Sequence, residues 1–296
     1  MKARLLFVLL LLTSMAPVRA DVLVLVHGFL GSERSWLESG VIDVLNRNGH
    51  PLAGVYSPAR GSIDFRPFAK VERNAVYTLN LPSTAPVGLQ ADWLNLFLMD
   101  VRKRHPDEPI TLVGHSAGGV VARMALVRHR PRGVTRLITI AAPHHGTWRA
   151  NQALDAVDSG GMFGRLKRWE VKRRIGGPLY YTLKASRGVL FDLTPPRPGN
   201  MLFWLNAQQH PDIEYVSIIR SGTLYMPGDR FVPPFSQDMR PLPSIGQDSL
   251  AYLSPQGHLL SPLDGQVIAN LLREAPDQGK EGKMDNTSKP ITRQER

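Results

Sequence analysis

Residues 110–119 read Ile-Thr-Leu-Val-Gly-His-Ser-Ala-Gly-Gly, and they give the strongest indication of the fold. The apolar run 110–113 is typical of a buried parallel strand, and residues 118–129 predict a helix. Between them, residues 114–118 match the pattern Gly-x-Ser-x-Gly. The pattern alone is weak, because three fixed positions match by chance in roughly one chain in ten at Gly and Ser frequencies of about 7%. Its place between a strand and a helix makes it specific.

The serine of this pattern is a candidate nucleophile. A serine at a tight turn between a strand and a helix projects its hydroxyl above the carboxyl edge of the sheet. The flanking glycines permit the close backbone approach that such a turn demands. The backbone N–H of Ala117, at the start of the helix, then faces a developing oxyanion. We therefore predict Ser116 as the nucleophile and Ala117 as an oxyanion donor, the alternative being a small-residue turn without chemistry.

A second oxyanion donor is expected in the loop after the first strand. Residues 22–26 form a continuous run of Val and Leu, as in a buried parallel strand. The loop 27–32 follows, and Gly28 allows its backbone to turn. The N–H of Phe29 would then point at the same oxygen as that of Ala117. The alternative is an ordinary loop between a strand and a helix.

Strand-like and helix-like segments alternate along the rest of the chain. This alternation predicts an α/β fold with a mostly parallel, doubly wound sheet covered on both faces. Residues 148–200 interrupt it as an irregular, basic stretch that we interpret as an inserted cap, and residues 57–85 give no clear pattern. Further strands are predicted at 52–56, 136–140, 215–219 and 250–253, and helices at 33–48, 89–101, 200–209 and 263–273.

Three motifs resemble those of the α/β-hydrolase family, and within it the secreted bacterial lipases and esterases. They are the segments 24–29, Val-Leu-Val-His-Gly-Phe; 113–119, Val-Gly-His-Ser-Ala-Gly-Gly; and 140–147, Ile-Ala-Ala-Pro-His-His-Gly-Thr. The likeness covers roughly residues 21–273. It implies the fold and a serine nucleophile, but no particular substrate. In this fold the catalytic residues follow the chain order Ser, Asp, His.

The base and the acid are sought downstream of the predicted cap. A serine hydroxyl needs an imidazole to take its proton and a carboxylate to fix the imidazole tautomer. His258 lies in a loop between the last predicted strand and the closing helix, whereas His210 directly follows a helix and precedes a proline. Asp229 resembles the lipase pattern of Gly-Asp followed by an apolar-Pro pair. We predict His258 and Asp229, with Asp238 and Asp248 as alternative acids that suit solvated turns better.

Metal and cofactor binding are not expected. His144 and His145 are neighbours whose side chains point apart, so a shared metal would need ligands from elsewhere. The resemblance places them on the floor of the pocket. Many secreted lipases hold a calcium through an acidic residue just after the catalytic histidine, but Leu, Leu and Ser occupy residues 259–261 here. The predicted substrate-binding residues are Leu30, His115, His144, His145 and Trp148, and further aromatics of the acyl site are Phe29, Phe163, Trp169, Tyr180 and Tyr181.

The composition is that of a globular protein with an export signal. Of 296 residues, 43% are apolar and 21% are charged, and the absence of Cys excludes disulfides and thiolate chemistry. Two cations, the apolar block 5–12 and the small-residue end 18–20 predict a signal peptide over residues 1–20, cleaved after Ala20. We expect export to the periplasm or the medium, a hydrolase domain at 21–275 and a disordered tail at 276–296.

The formal net charge of +11 is concentrated in one segment. Residues 160–187 carry eight Lys and Arg against the single acidic Glu170, a net charge of +7. On an exported protein this segment would attract an anionic membrane surface or an acidic substrate, although a solvated helix face has the same composition. No nucleic-acid-binding motif is present, so a nucleic-acid partner is not expected. The oligomeric state is left open.

Together these features predict a serine hydrolase that cleaves carboxylic esters, with a preference for lipid-like acyl chains. A thioesterase or an acyltransferase would use the same three residues, and the sequence does not reveal the leaving group. A membrane-surface binding protein on the same fold is the alternative outside the enzymes. The presence of Ser116, Asp229 and His258 together argues against it.

Overall fold

A computed structural model describes residues 21–71, 73–157, 172–174, 176–222, 228–246 and 249–273. Several predictions concern residues outside these ranges. They are the signal peptide at 1–20, the tail at 276–296, the alternative acid Asp248, and the part of the basic segment that includes Phe163 and Trp169. They remain predictions from the sequence alone.

Within the described residues, eight strands form one sheet in the order β3-β2-β4-β1-β5-β6-β7-β8. Neighbouring strands are parallel except for the antiparallel pair of β2 and β3. The strands are β1 (Val22–Val26), β2 (Leu52–Ala59), β3 (Ser62–Pro67), β4 (Val76–Leu79), β5 (Ile110–His115), β6 (Val134–Ile140), β7 (Glu214–Arg220) and β8 (Leu250–Ser254).

Helices join the strands and cover both faces of the sheet. They are α1 (Arg34–Glu38), α2 (Val41–Arg47), α3 (Val87–Arg104), α4 (Ala117–His129), α5 (Trp148–Val157), α6 (Gly177–Ala185), α7 (Arg187–Asp192), α8 (Met201–Asn206), α9 (Pro234–Gln237) and α10 (Pro262–Arg273). Among the described helices, none has both the length and the apolar character that crossing a bilayer requires.

The core consists of two apolar layers separated by the sheet. One layer packs α3, α4 and α8 against the sheet, and the other packs α1, α2 and α10 against the opposite face. Every residue of β1 and β5 is buried, as the continuous apolar runs predict for central parallel strands. The predicted doubly wound α/β fold is thus confirmed. Because the parallel strands end at one edge, the loops after β1, β5, β7 and β8 meet there.

The structure corrects two sequence-based assignments and shows the elements of one stretch that the sequence left unassigned. The helix predicted at 33–48 is broken into α1 and α2, because Gly40 adopts a left-handed conformation with φ of 76°. The stretch 148–200 was expected to be irregular, but its described part contains α5, α6 and α7. The unassigned stretch 57–85 holds the end of β2 together with β3 and β4. Strand β3 lies at the exposed edge of the sheet, so it lacks the apolar run that marks the buried strands.

Candidate active site

The candidate nucleophile lies in a sharp turn between β5 and α4. Ser116 has φ of 52° and ψ of −129°, a conformation that non-glycine residues rarely adopt. Its N–H donates to the carbonyl of Ile140, 2.8 Å away, and its carbonyl accepts from the N–H of Gly119 at 3.0 Å. These bonds hold the serine in a backbone conformation that costs on the order of 1–3 kcal/mol. Strain of this kind is common where a reactive side chain must project from the turn.

The glycines on both sides of Ser116 are required by close backbone contacts. A Cβ at Gly114 would lie 2.5 Å from the Cα of Gly119. A Cβ at Gly118 would lie 2.4 Å from the carbonyl oxygen of Val26 at the end of β1. Both distances are shorter than van der Waals contact allows. The spacing of glycines in the sequence therefore reflects how tightly α4 packs on β5 and β1.

The structure brings the three predicted catalytic residues into one hydrogen-bonded chain. The Nε2 atom of His258 lies 3.0 Å from Oγ of Ser116. The Nδ1 atom of the same ring lies 2.6 Å from Oδ2 of Asp229. An ionised carboxylate can only accept, so Nδ1 carries the proton and Nε2 is free to accept the serine proton. The ring therefore has the tautomer that a general base requires.

The carboxylate of Asp229 is buried and fully bonded. Its side chain is 0% exposed. Its Oδ1 accepts from the backbone N–H groups of Phe231 at 2.7 Å and Val232 at 3.0 Å, and its Oδ2 also accepts from Nε2 of Gln237 at 3.2 Å. This set of donors gives the carboxylate one orientation, with Oδ2 directed at His258.

The alternative acid and base do not join this chain. Asp238 pairs with Arg240, with the Nη2 of Arg240 2.7 Å from a carboxylate oxygen, and this arginine lowers the pKa of Asp238. His210 is buried beside Arg123, whose Nη2 lies 3.0 Å from the Nε2 of His210. Within the described part of the chain, neither Asp238 nor His210 bonds to Ser116 or His258. The sequence-based preference for Asp229 and His258 agrees with these positions.

The predicted oxyanion loop lies against the nucleophile. A Cβ at Gly28 would be 2.8 Å from the Cβ of Ser116, so the loop approaches the serine as closely as a glycine permits. The amides of Phe29 and Ala117 donate to no acceptor within the described part of the chain. Both remain available to a negatively charged oxygen, as the prediction requires.

A buried histidine orients the peptide that carries one of these amides. Nε2 of His27 accepts from the N–H of Leu81 at 3.0 Å, so its proton lies on Nδ1. Nδ1 donates to the carbonyl of Gly28 at 2.9 Å. In a planar trans peptide the N–H of Phe29 points away from that carbonyl. Burial lowers the pKa of His27, which keeps the ring neutral and this arrangement intact.

Comparison with known proteins identifies the fold. Residues 21–165 match the family described as alpha/beta hydrolase fold. The crystal structure of the mature form of the Bacillus licheniformis lipase BlEst2 superposes with a TM-score of 0.57 at 18% identity, covering 86% of this chain and 93% of that one. The chain therefore has the α/β-hydrolase fold and is similar to the proteins of that family.

Two further similarities cover smaller parts of the matched proteins. The propeptide form of the same lipase gives a TM-score of 0.60 at 16% identity, covering 90% of this chain and 53% of that one. The GPI inositol-deacylase B of Yarrowia lipolytica is 38% identical over 66 residues. That segment is 19% of this α/β-hydrolase and only 7% of the length of the relative.

His115 has a different position from the one that the sequence predicted. The residue is 8% exposed, and its Nε2 donates to the carbonyl of His258 at 2.8 Å. Burial, with a smaller contribution from His258, lowers the pKa of His115 to about 3. The neutral ring therefore holds the backbone of His258, the candidate base. This contact favours a supporting role over the predicted contact with substrate.

The other predicted substrate-binding residues divide into exposed and buried ones. Leu30 and Trp148 are exposed, at 47% and 63%, and are open to a ligand. His144 is completely buried, with its ring bonded to Arg123 at 3.2 Å and to Oγ1 of Thr139 at 3.1 Å. These contacts leave the ring of His144 no open face for substrate.

His145 is half-buried, and its backbone N–H donates to Ser236. Of the two predicted acyl-site aromatics that lie in the described part of residues 148–200, Tyr180 is buried and Tyr181 is exposed. Among the described residues, no cluster of three or more His, Asp or Glu could hold a metal ion.

Sequence reasoning missed two residues beside the acid. Gln237 in α9 binds Asp229, and Arg220 at the end of β7 binds Gln237 and the loop of His258. One signal was available for Arg220, since a charged residue at the carboxyl end of an apolar strand is costly to bury without a partner. No comparable signal distinguishes Gln237 from a surface glutamine.

Proposed function

We propose that this α/β-hydrolase cleaves carboxylic esters by an acyl-enzyme mechanism. Ser116 is the nucleophile, His258 the general base and Asp229 the residue that orients the base. The observation that carries the proposal is the continuous chain of hydrogen bonds from Ser116 Oγ through the imidazole to Asp229, with distances of 3.0 and 2.6 Å.

The geometry supports each step of ester cleavage. Oγ of Ser116 attacks the ester carbonyl while Nε2 of His258 takes its proton. Asp229 stabilises the imidazolium that forms, and the amides of Phe29 and Ala117 bind the oxyanion. Each such amide is worth on the order of 3 kcal/mol of barrier lowering. The imidazolium then protonates the leaving alcohol, and a water activated by the same ring releases the acid.

Exposed apolar side chains beside the base support a lipid-like acyl group. The ring of Phe231 lies 5.1 Å from that of His258, and Leu259, the next residue after the base, is 76% exposed. Leu30 follows the oxyanion loop and is also exposed. Neighbouring apolar groups that remain exposed to water are typical of a binding surface. The Yarrowia relative is named a deacylase, an enzyme that releases an acyl group, and this supports the proposal.

The basic segment and the predicted signal peptide extend this proposal. We propose export of the protein and contact with an anionic membrane surface through residues 160–187, whose net charge is +7. A Lys or Arg close to an anionic membrane surface contributes about 1 kcal/mol to binding, and the attraction falls off within a Debye length. A lipid ester in such a surface would then lie close to the enzyme.

Labelling with a fluorophosphonate probe tests the chemistry. We expect one adduct on Ser116, located by peptide mass spectrometry, and none in Ser116→Ala. Turnover of p-nitrophenyl esters with acyl chains of increasing length should rise with chain length if the apolar surface binds the acyl group. Matched oxygen esters and thioesters distinguish an esterase from a thioesterase. An unlabelled wild type, or full ester turnover by Ser116→Ala, would refute the proposal.

A further inference from the structure

A fully buried arginine lies behind the three residues of the site. Arg220 is the last residue of β7 and its side chain is 0% exposed. Its Nη1 donates to Oγ of Ser254 at 2.8 Å, and its Nη2 donates to Oδ1 of Asp264 at 2.7 Å. Ser254 ends β8 and Asp264 lies in the first turn of α10. The loop between these two residues carries His258.

The partner of Arg220 closes this loop from the other side. The second carboxylate oxygen of Asp264 accepts from the backbone N–H of Ser261 at 2.9 Å. The side chain of Asp264 is 1% exposed. Both ends of the loop that carries His258 are therefore bonded to one buried ion pair.

The backbone of Arg220 contacts the acid as well. Its N–H donates to Oε1 of Gln237 at 2.8 Å, and Nε2 of Gln237 donates to Oδ2 of Asp229 at 3.2 Å. Its carbonyl accepts from the N–H of Asp229 at 3.4 Å. The side chain of Arg220 thus supports the base, and its backbone supports the acid.

Stability alone is a poor reason for such a pair. The desolvation of two buried charges often outweighs their attraction, and apolar residues of similar volume are commonly as stable. The planar guanidinium presents its donors in a fixed fork, however, so that one arginine orients two separate groups, here Ser254 and Asp264. That property is useful where two loops must meet with an accuracy of a fraction of an ångström.

We infer that Arg220, together with Asp264, is a positioning element that sets the loop of His258 against Asp229. The inference rests on the proposed function, because it concerns the distance between the proposed base and acid. Neither Arg220 nor Asp264 is proposed to contact the substrate.

The test compares Arg220→Met and Asp264→Asn with a matched control pair. Arg136 and Glu214 form another largely buried ion pair, with Nε of Arg136 2.7 Å from Oε2 of Glu214, near the amino ends of β6 and β7.

We expect Arg220→Met and Asp264→Asn to lower kcat for a short p-nitrophenyl ester by on the order of 10- to 100-fold, because small displacements of catalytic groups have such effects. KM should change by less than about threefold, since no substrate contact is lost. Arg136→Met and Glu214→Gln should lower the melting temperature but leave kcat within about twofold.

Two further measurements separate positioning from folding and from the proposed function. Arg220→Lys keeps the cation and should recover part of the kcat lost in Arg220→Met. Proton NMR reports the strongly downfield proton shared by His258 and Asp229 without any turnover. We expect that signal to broaden or vanish in Arg220→Met and Asp264→Asn, and to persist in Glu214→Gln.

The possible outcomes are distinct. Folded Arg220→Met and Asp264→Asn proteins with wild-type kcat and an unchanged NMR signal would overturn the inference. If Arg220→Met does not fold, Asp264→Asn and Arg220→Lys decide by the same criteria. A wild type without ester turnover would refute the proposed function, whereas the NMR comparison would still decide whether the ion pair orders the histidine loop.

Discussion

Replacing Asp229 by asparagine changes one oxygen into an amide nitrogen at the most closely bonded position of the site. Oδ1 of Asp229 accepts from two backbone N–H groups, at 2.7 and 3.0 Å, so the amide oxygen of the asparagine must occupy that position. The amide nitrogen then takes the place of Oδ2. There it faces two donors, Nδ1–H of His258 at 2.6 Å and the side-chain amide of Gln237 at 3.2 Å.

The imidazole relieves this conflict by changing its tautomer. The proton moves to Nε2, so that Nδ1 accepts from the new amide and Nε2 donates toward Ser116. A ring that donates to the serine cannot take its proton. Loss of the base tautomer in a triad lowers kcat by about 10⁴-fold. This corresponds to about 5.5 kcal/mol of transition-state stabilisation.

The assay measures kcat and KM for a short p-nitrophenyl ester near neutral pH. We expect the loss in kcat, with KM nearly unchanged, because no group in contact with the substrate is altered. Asp238→Asn is the matched control, since Asp238 pairs with Arg240 and does not reach the histidine. It should retain activity within about twofold. A folded Asp229→Asn protein with more than about a tenth of wild-type kcat would show that this carboxylate does not orient the base.

Three further predictions concern two close glycine contacts and one buried histidine. Gly28→Ala should slow fluorophosphonate labelling of Ser116 by on the order of tenfold or more, because its Cβ would lie 2.8 Å from that of the serine; labelling at the wild-type rate would contradict the close approach. Gly114→Ala should lower the free energy of unfolding in urea by about 1–3 kcal/mol, because its Cβ would lie 2.5 Å from the Cα of Gly119; an unchanged urea midpoint would argue against this contact. Burial lowers the pKa of His210 from 6.5 to about 4, so the unfolded chain binds the proton more tightly and the free energy of unfolding should fall as the pH drops from 6.5 to 4. His210→Gln should reduce that fall in urea titrations, and an identical pH dependence in the variant would refute the assignment.

The parts of the site that the sequence predicted are those governed by local chain geometry. Ser116 was predicted because the turn that exposes it requires glycines two positions before and two positions after the serine, and the structure shows the contacts that exclude a side chain at both. Residues 22–26 and 110–113 were correctly assigned as strands because burial on both faces leaves a continuous apolar run.

Predictions failed where local preference and tertiary contacts differ. The helix expected at 33–48 has good periodicity, but Gly40 takes a left-handed conformation, and a Cβ there would lie 3.0 Å from Pro262 of α10. The edge strand β3 has alternating exposure and no apolar run, because only one side of the strand is paired. His115 was predicted to bind substrate, whereas its ring donates to the backbone of His258, 143 residues later.

The alternation of strands and helices and the turn that carries Ser116 could be predicted from the sequence, because they depend on neighbours within a few residues and a linear pattern records them. The order Ser, Asp, His came from the resemblance to a known fold. The tertiary structure was needed to show that an imidazole 142 residues away lies 3.0 Å from the serine. It was also needed to show that Arg220 contacts Asp229 through its backbone and, through its side chain, the two residues that flank the histidine loop. Distances of this kind arise when parallel strands align their ends at one edge of a sheet, and no local preference encodes them.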